Sequence, residues 1–220
     1  MTDVSLARGR RQALGLLLGG AALASLTGCA SSPPPRAMVI VPSLPQSAAA
    51  SPQVTQANPA MAVSLAPIQV PEHWQRRSVV HLRGEAELAT WPNAIWAERV
   101  EAGLTRRLSQ ALRQRAPEFG WATLEDRTTP RRLLIDVAQL DLHAARGQLV
   151  AVLNWRLLDR QGRQLDAGQL SQQMAVQVGS AQEEAAALGL WLDAQAPHIA
   201  ARILAAPVVS DTADTTNSRR

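Results

Sequence analysis

Histidines, carboxylates and one cysteine are the residues of this sequence whose chemistry could support catalysis or metal binding. No histidine stands at metal-ligand spacing from another histidine or from a carboxylate cluster; the four are His73, His81, His143 and His198. Glu183 and Glu184 form an acidic pair, but they begin a predicted helix, where the helix dipole favours negative charge. Glycine-rich phosphate loops and Gly-x-Ser-x-Gly motifs are absent from the sequence. We therefore predict no catalytic residue, no metal site and no cofactor, and we do not expect an enzyme.

Among these residues, the single cysteine, Cys29, has the surroundings that predict one specific reaction. It follows Leu26-Thr27-Gly28, an order that resembles the bacterial lipobox. Three arginines precede an apolar run over residues 13–23, which is too short to cross a bilayer as a permanent helix. We predict a signal peptide over residues 1–28, cleavage before Cys29 and attachment of acyl chains such as palmitate to its thiol. A cysteine buried in the core is the alternative.

The residues after Cys29 predict where the protein is anchored and how it is tethered. Ala30 stands where an aspartate would favour retention in the inner membrane, so the bacterial sorting rule favours the outer membrane, with the chain facing the periplasm. Residues 29–36 form the predicted lipidated tether, stiffened by the prolines at 33–35. We expect a folded domain over residues 37–205, with a mobile loop at 43–60, and a disordered tail over 206–220.

The charge pattern argues against a nucleic-acid partner. The formal net charge is +4, every cation is an arginine, and basic and acidic residues are interleaved through most of the region expected to be ordered. Removal of the predicted signal peptide would lower the charge further. The single cysteine also excludes an internal disulfide and a cysteine-rich metal site.

Hydrophobic periodicity predicts strands before and after a long amphipathic helix. Residues 37–41 are a short apolar run that we interpret as an edge strand ended by Pro42, the alternative being that the run is part of the linker. Alternation over residues 61–70 and 78–82 predicts two more strands. Thr90-Trp91-Pro92-Asn93 supplies chain breakers, and Asn93 is a plausible N-cap for the helix that follows. The helix buries residues spaced by three and four: Trp96, Val100, Leu104, Leu108, Ala111 and Leu112. Its arginine-rich outer face leaves a membrane-surface helix as an alternative to a helix that covers a sheet.

The second half predicts an antiparallel meander and a second helix. Alternation changes parity near residues 137–138 and again at Gly168, which predicts a bulge at each place, and Asp159 to Gly162 predicts a hairpin turn. Residues 121–124 read as a further short strand. Ser180 to Glu183 form a capping box for a helix that we expect to kink or restart near Ala196, because Pro197 lacks a backbone donor. The buried face of this helix is predicted to hold Ala185, Leu188, Trp191, Leu192, Ile199 and Ile203. The predicted fold class is α+β: a mixed, mostly antiparallel sheet covered on one face by two long helices.

Tryptophans supply nearly all the large aromatic side chains, since the sequence has six of them, one phenylalanine and no tyrosine. Three lie on predicted inward faces and are expected in the core: Trp96, Trp155 and Trp191. Two others lie in predicted loops near prolines, where an exposed indole would contact a partner or lipid, the alternative being that they fold back onto the core. The candidate partner-binding residues are therefore Trp74 and Trp91 with the adjacent Arg76 and Arg77.

Several stretches together resemble the ABC-type transport auxiliary lipoprotein family, which includes the paraquat-inducible protein C lipoproteins. They are Gly28 to Pro34 running into 37–41, Val70 to Val80, Trp96-Ala97-Glu98 with the leucines at 104, 108 and 112, and Trp155 to Asp159 with Gly162. The sequence departs from the family pattern at Ala37-Met38, where an aromatic usually opens the first strand, and at Arg99, where proline is frequent.

The resemblance implies a function that the residues alone do not specify. It implies an outer-membrane lipoprotein that docks the MCE-domain subunit of an ABC-type lipid transport system, with homo-oligomerisation as a ring, and it brings no catalytic residues. A lipoprotein activator of a cell-wall synthase is the alternative, because such activators share the lipobox, the linker and a small α/β domain. An envelope enzyme is a third hypothesis, which labelling by a serine- or metal-directed probe would support.

Overall fold

A computed structural model describes residues 36–45, 58–122 and 129–207 of the chain, with side chains from residue 61 onward in the second range. The predicted signal peptide, Cys29 and nearly all of the tether lie outside these residues. Most of the predicted loop at 43–60 and of the predicted tail at 206–220 lies outside them as well.

The described residues form eight strands and two helices. The first four strands precede helix α1, Val100–Arg115, and the last four precede helix α2, Ala181–Ala205. The strands are β1 Ala37–Val39, β2 Asn58–Leu65, β3 Ser78–Arg83, β4 Glu87–Trp96, β5 Phe119–Ala122, β6 Arg131–His143, β7 Gln148–Asp159 and β8 Gln164–Ala175. The predicted α+β class is confirmed.

Strand β6 is the centre of the mixed sheet. One of its edges pairs with β7 along the whole strand in antiparallel orientation, and β7 continues into β8 through the hairpin. Its other edge pairs in parallel with β2 at Arg131 to Leu133 and with β3 at His143. Beyond these, β2 pairs with β5, and β3 pairs with β4, which pairs with β1. The long ladders are antiparallel, while four short contacts are parallel.

The change of parity in β6 has the predicted cause. Val137 pairs with Leu153 and Gln139 with Val152, so Ala138 is an extra residue in the ladder. The bulge lets Leu133, Ile135, Leu140 and Leu142 all reach the same core, each at most 2% exposed. The predicted bulge near 137–138 is confirmed.

The predicted bulge at Gly168 is wrong. Trp155 pairs with Gly168 in an uninterrupted ladder, and the register shifts only at Leu165, between the pairs Leu157–Asp166 and Leu158–Gln164. Glycine is required at 168 for a different reason: a Cβ atom there would lie 2.8 Å from Cζ2 of Trp155. The glycine provides room for an indole on the neighbouring strand.

Strand β4 occupies the stretch that was expected to break the chain and cap the helix. It runs through Pro92 and Asn93, and Asn93 accommodates the irregularity with a φ of +56°. Helix α1 begins at Val100 after Arg99, so the predicted N-cap at Asn93 is wrong, and Trp96 is buried from a strand, not from the helix. The other five residues of the predicted buried face are confirmed in the core.

The first two strands follow their apolar patterns closely. The edge strand predicted at 37–41 is confirmed over Ala37–Val39, in parallel with Ala94 to Trp96 of β4. Strand β2 ends at Leu65, earlier than the predicted 61–70, and Gln69 makes an isolated bridge to Asp136 of β6. Because β2 begins at Asn58, the expected loop at 43–60 is too long by three residues at its end.

Helix α2 is held at its start as predicted and continues where a break was expected. Ser180 Oγ accepts a 3.3 Å hydrogen bond from the Glu183 amide, while the Glu183 carboxylate accepts one from the Gly179 amide at 2.6 Å. The helix continues through Pro197 to Ala205, so the predicted restart near Ala196 is wrong. Ile199 and Ile203, both fully buried beyond the proline, explain the continuity, because their packing offsets the lost backbone bond.

Candidate functional site

Trp74 is a core residue. It lies in a short 3-10 turn over Glu72–Gln75 and is 1% exposed. Its indole Nε1 donates a 2.7 Å hydrogen bond to the carbonyl oxygen of Leu140 on β6. The expectation of an exposed indole at this position is therefore wrong.

Trp91 lies in β4, not in a loop, and is half-buried. Its Nε1 donates a 2.6 Å hydrogen bond to Oε2 of Glu184 in the first turn of α2, and its ring lies 4.5 Å from the ring of His81. Burial raises the pKa of Glu184 to about 8, although the Trp91 hydrogen bond acts in the opposite direction. Burial, and next the charge of Arg83, lowers the pKa of His81. The indole joins a helix to a strand and has limited exposure for a partner.

Arg76 and Arg77 are exposed, as the partner-binding prediction requires. They follow the 3-10 turn and precede β3. Within the described residues neither makes an ion pair. Both guanidinium groups are therefore available to an anionic partner.

A groove of about 610 Å³ separates α1 from the extended stretch Leu65 to Gln69. Thr105 of α1 closes its base, because its Oγ1 accepts a 2.9 Å hydrogen bond from the Ile68 amide and donates a 2.6 Å bond to the Glu101 carbonyl. The apolar lining comes from Leu65, Pro67, Ile68, Ala102 and Ala122. The groove is thus a preformed, partly apolar concave surface.

Three arginines line the same groove at intervals of seven residues: Arg99, Arg106 and Arg113. Arg106 forms a bidentate pair with Glu98, with bonds of 2.6 and 2.7 Å, and donates a third bond of 2.9 Å to the Val41 carbonyl. Arg99 pairs with Glu101 at 2.8 Å, while no ion pair of Arg113 is found within the described residues. The rim is positively charged, and Arg113 is its most available cation.

Glu101 gives the groove one buried polar atom without a partner. The residue is 8% exposed, and its Oε2 has no hydrogen-bond partner, whereas Oε1 accepts from Arg99. Burial raises the pKa of this carboxyl, but the hydrogen bonds and charge of Arg99 outweigh it and lower the pKa overall. We expect a ligand that enters the groove to donate a hydrogen bond at this oxygen.

The groove was missed at the level of sequence, although a signal for it exists. Arginines at 99, 106 and 113 recur every seven residues, a spacing that places them along one side of a helix. The second wall could not be recognised, because it is formed by a segment more than thirty residues earlier in the chain.

Metal and membrane-spanning features are not found in the part of the chain that the structure describes. No group of three metal-ligating side chains occurs within residues 36–45, 58–122 and 129–207. None of the helices in those ranges combines the length and hydropathy needed to cross a bilayer.

Comparison with known proteins gives a family and a fold. The sequence model of the family described as ABC-type transport auxiliary lipoprotein component matches residues 43–200. No curated protein sequence matches the chain. The crystal structure of an uncharacterised protein is similar with a TM-score of 0.59 at 17% identity, covering 77% of this chain and 99% of the other. A Xanthomonas campestris protein of the family DUF330 is similar with a TM-score of 0.55 at 18% identity, covering 74% and 93%.

Proposed function

Because the chain belongs to the ABC-type transport auxiliary lipoprotein family, we propose that it docks the MCE-domain subunit of an ABC-type lipid transport system. The family match over residues 43–200, which covers α1, most of α2 and every strand except β1, carries the proposal. Anchoring in the outer membrane through acylated Cys29, facing the periplasm, completes it. The lipobox and Ala30 support that anchoring and its destination.

The groove beside α1 is the docking surface that suits this role. Its apolar lining can bury the apolar side of a protein segment, and its arginine rim can pair with acidic side chains of that segment. Arg113 is exposed and has no ion pair within the described residues, so its pairing with a partner costs no internal contact. We expect the MCE subunit to present an acidic, amphipathic segment to this groove.

Co-purification from detergent-solubilised envelopes tests the proposal. The wild-type chain should co-purify with the MCE subunit encoded by the same organism, and Arg113→Glu should weaken the complex about tenfold through charge reversal at the rim. Arg115→Glu is the matched control, since Arg115 is also exposed and without an ion pair in the described residues and lies on the same helix, but does not line the groove.

The outcomes separate the parts of the proposal. No association of the wild-type chain with the MCE subunit, even after cross-linking, would overturn the docking role. Equal weakening by both substitutions would overturn the assignment of the groove. If the purified chain stimulated glycan polymerisation by a purified cell-wall synthase, that result would instead favour the activator hypothesis.

A further inference from the structure

Strand β1 and the residue that follows it carry two outward apolar side chains at the edge of the sheet. Met38 is 62% exposed and Ile40 is 50% exposed, whereas the alternate residues Val39 and Val41 are at most 3% exposed. Met38 pairs with Ile95 of β4, which is half-buried, so the apolar surface continues onto the neighbouring strand. Adjacent exposed apolar residues on an edge strand are a liability in water unless something covers them.

Three arginines lie near this apolar pair in the chain or in the sheet. Arg36 precedes β1 directly, and Arg76 and Arg77 precede β3, where the Arg77 carbonyl accepts a 2.8 Å hydrogen bond from the Trp96 amide. Since Val39 pairs with Trp96, Arg77 lies two strands from β1, or about 10 Å. Within the described residues no ion pair is made by Arg36, Arg76 or Arg77.

The nearby acidic side chains do not cancel this charge. Glu98 is held by both terminal nitrogens of Arg106. Glu72 stands at the opposite end of the 3-10 turn from Arg76. Exposed apolar side chains beside unpaired arginines form a surface suited to anionic lipid headgroups and the acyl region below them.

Strand β1 lies close to Cys29 in the sequence, and this position favours lipid over other partners for the exposed edge. Only seven residues separate Cys29 from Ala37, and a chain of that length spans at most about 28 Å however it is arranged. A domain of this size is about 40 Å wide, so the tether is too short for every face to reach the bilayer equally. An acylated Cys29 therefore keeps Ala37, at the start of β1, within about 28 Å of the anchored sulfur, which favours contact of this edge with the membrane.

We infer that the β1 edge, formed by Met38, Ile40, Arg36, Arg76 and Arg77, rests on an anionic lipid surface and orients the domain on its membrane. This inference rests on the proposed anchoring through Cys29, but it adds a fixed orientation that acylation alone does not give. With this edge on the bilayer, Arg76 and Arg77 contact lipid. The groove beside α1 adjoins this edge, because Arg106 donates to the Val41 carbonyl and Gln75 lines the groove.

Quenching by lipids labelled with nitroxide in the headgroup region tests the orientation in the mature lipoprotein. Because acylation consumes the Cys29 thiol, Met38→Cys introduces the only free thiol of that protein. An environment-sensitive fluorophore at position 38 should be quenched at least about threefold more than the same fluorophore introduced by Leu204→Cys. Leu204 is a suitable control, since it is 47% exposed but lies at the end of α2. Equal quenching at both positions, in protein that floats with the vesicles, would overturn the inference.

A second measurement keeps the inference testable if acylation fails. The unacylated Cys29→Ala chain, secreted with a signal peptide that needs no lipobox, is mixed with vesicles of phosphatidylethanolamine and phosphatidylglycerol. The double substitution Met38→Ser with Ile40→Ser should lower its partition onto them about tenfold, and Leu204→Ser should not. Unchanged partition would overturn the proposed edge even if anchoring is correct. A change in sedimentation of the lipid-free chain, with no change in partition, would show that the edge binds a second copy instead.

Discussion

The indole Nε1 of Trp91 donates a 2.6 Å hydrogen bond to Oε2 of Glu184, and this contact fastens the first turn of α2 to β4. Glu184 is fully buried, and its second oxygen, Oε1, has no hydrogen-bond partner. The group therefore stays neutral at pH values where an exposed glutamate is ionised. The ring of its neighbour His81 lies tilted against the same indole, and burial, followed by the charge of Arg83, lowers the pKa of this histidine.

Glu184→Gln should change how stability depends on pH. Burial raises the pKa of Glu184 from 4.5 to about 8, so the native state holds more protons than the unfolded state between those values. The stabilisation from this group is fully present below pH 4.5 and is lost as the pH rises through 8, at about 1.4 kcal/mol per pH unit. Glutamine resembles the neutral acid at every pH. The variant should therefore gain stability relative to the wild type as the pH rises from 5 towards 8.

Urea unfolding at several pH values measures this difference. His81 acts in the opposite direction, because its lowered pKa makes stability rise with pH below 6.5. Subtracting the free energy of unfolding of the wild type from that of the variant at each pH removes this contribution. Glu183→Gln is the control for replacing a carboxylate in the same helical turn, since Glu183 is exposed and lies one residue earlier. If the difference in free energy of unfolding between Glu184→Gln and the wild type did not vary with pH, the carboxyl group of Glu184 would ionise in its usual range.

Gly168→Ala should destabilise the protein by about 1 to 3 kcal/mol, because the added Cβ would overlap the Trp155 ring. The ring has little freedom to move, since the guanidinium of Arg202 lies 5.6 Å from its centre and is itself paired with both oxygens of Asp166. Phenylalanine at 155 lacks the indole atoms that approach closest to Gly168. In denaturant titrations, Trp155→Phe combined with Gly168→Ala should therefore cost less than the sum of the two single substitutions.

A second glycine provides the control for this prediction. A Cβ at Gly179 would meet Glu183 at 3.5 Å, which is ordinary contact, so Gly179→Ala should change stability by less than about 0.5 kcal/mol. Strict additivity of the two substitutions at 155 and 168 would show that they do not interact.

Arg107→Ala should weaken the packing of α1 against α2. The Arg107 guanidinium, in a residue only 7% exposed, pairs with Asp193 through bonds of 2.9 and 2.5 Å and also donates to the Pro42 carbonyl. Removal of the guanidinium leaves the mostly buried Asp193 carboxylate without its partner. We expect the free energy of unfolding to fall by about 3 kcal/mol, which is the lower end for buried ion pairs, because Asp193 keeps some exposure. Arg113→Ala, on the same helix but exposed, should shift the melting temperature little. Similar losses from both would indicate that the Arg107–Asp193 pair contributes no more than a surface contact.

Local patterns predicted the elements whose causes are local. The capping box at Ser180 and the bulge at Ala138 could be predicted, because each depends on residues within a few positions or on the parity of one strand. Strand β4 could not be predicted, because Pro92 and Asn93 usually break strands, and here pairing with β3 and β1 overrides that tendency.

Contacts between distant segments explain the remaining errors. A glycine in a strand is compatible with a bulge or with close approach of a ring, and only the position of Trp155 across the ladder distinguishes them. Trp74 and Trp91 were candidates for exposed indoles because they lie in predicted loops near prolines. Their indole nitrogens instead find acceptors in Leu140 and Glu184, 66 and 93 residues away.

Cys29→Ala should release the protein from the membrane without changing its fold, since each acyl methylene buried in the bilayer contributes about 0.8 kcal/mol and residue 29 precedes the folded domain expected over residues 37–205. The variant must be secreted with a signal peptide whose cleavage does not need the cysteine, because an uncleaved apolar run would itself retain the chain. Fractionation after washing with high salt, together with intact mass, checks the result. Ala30→Asp is the control: it should remain acylated and membrane-bound but move to the inner membrane. A Cys29→Ala chain that resists the salt wash, or a wild-type mass without acyl chains, would overturn the lipid anchor.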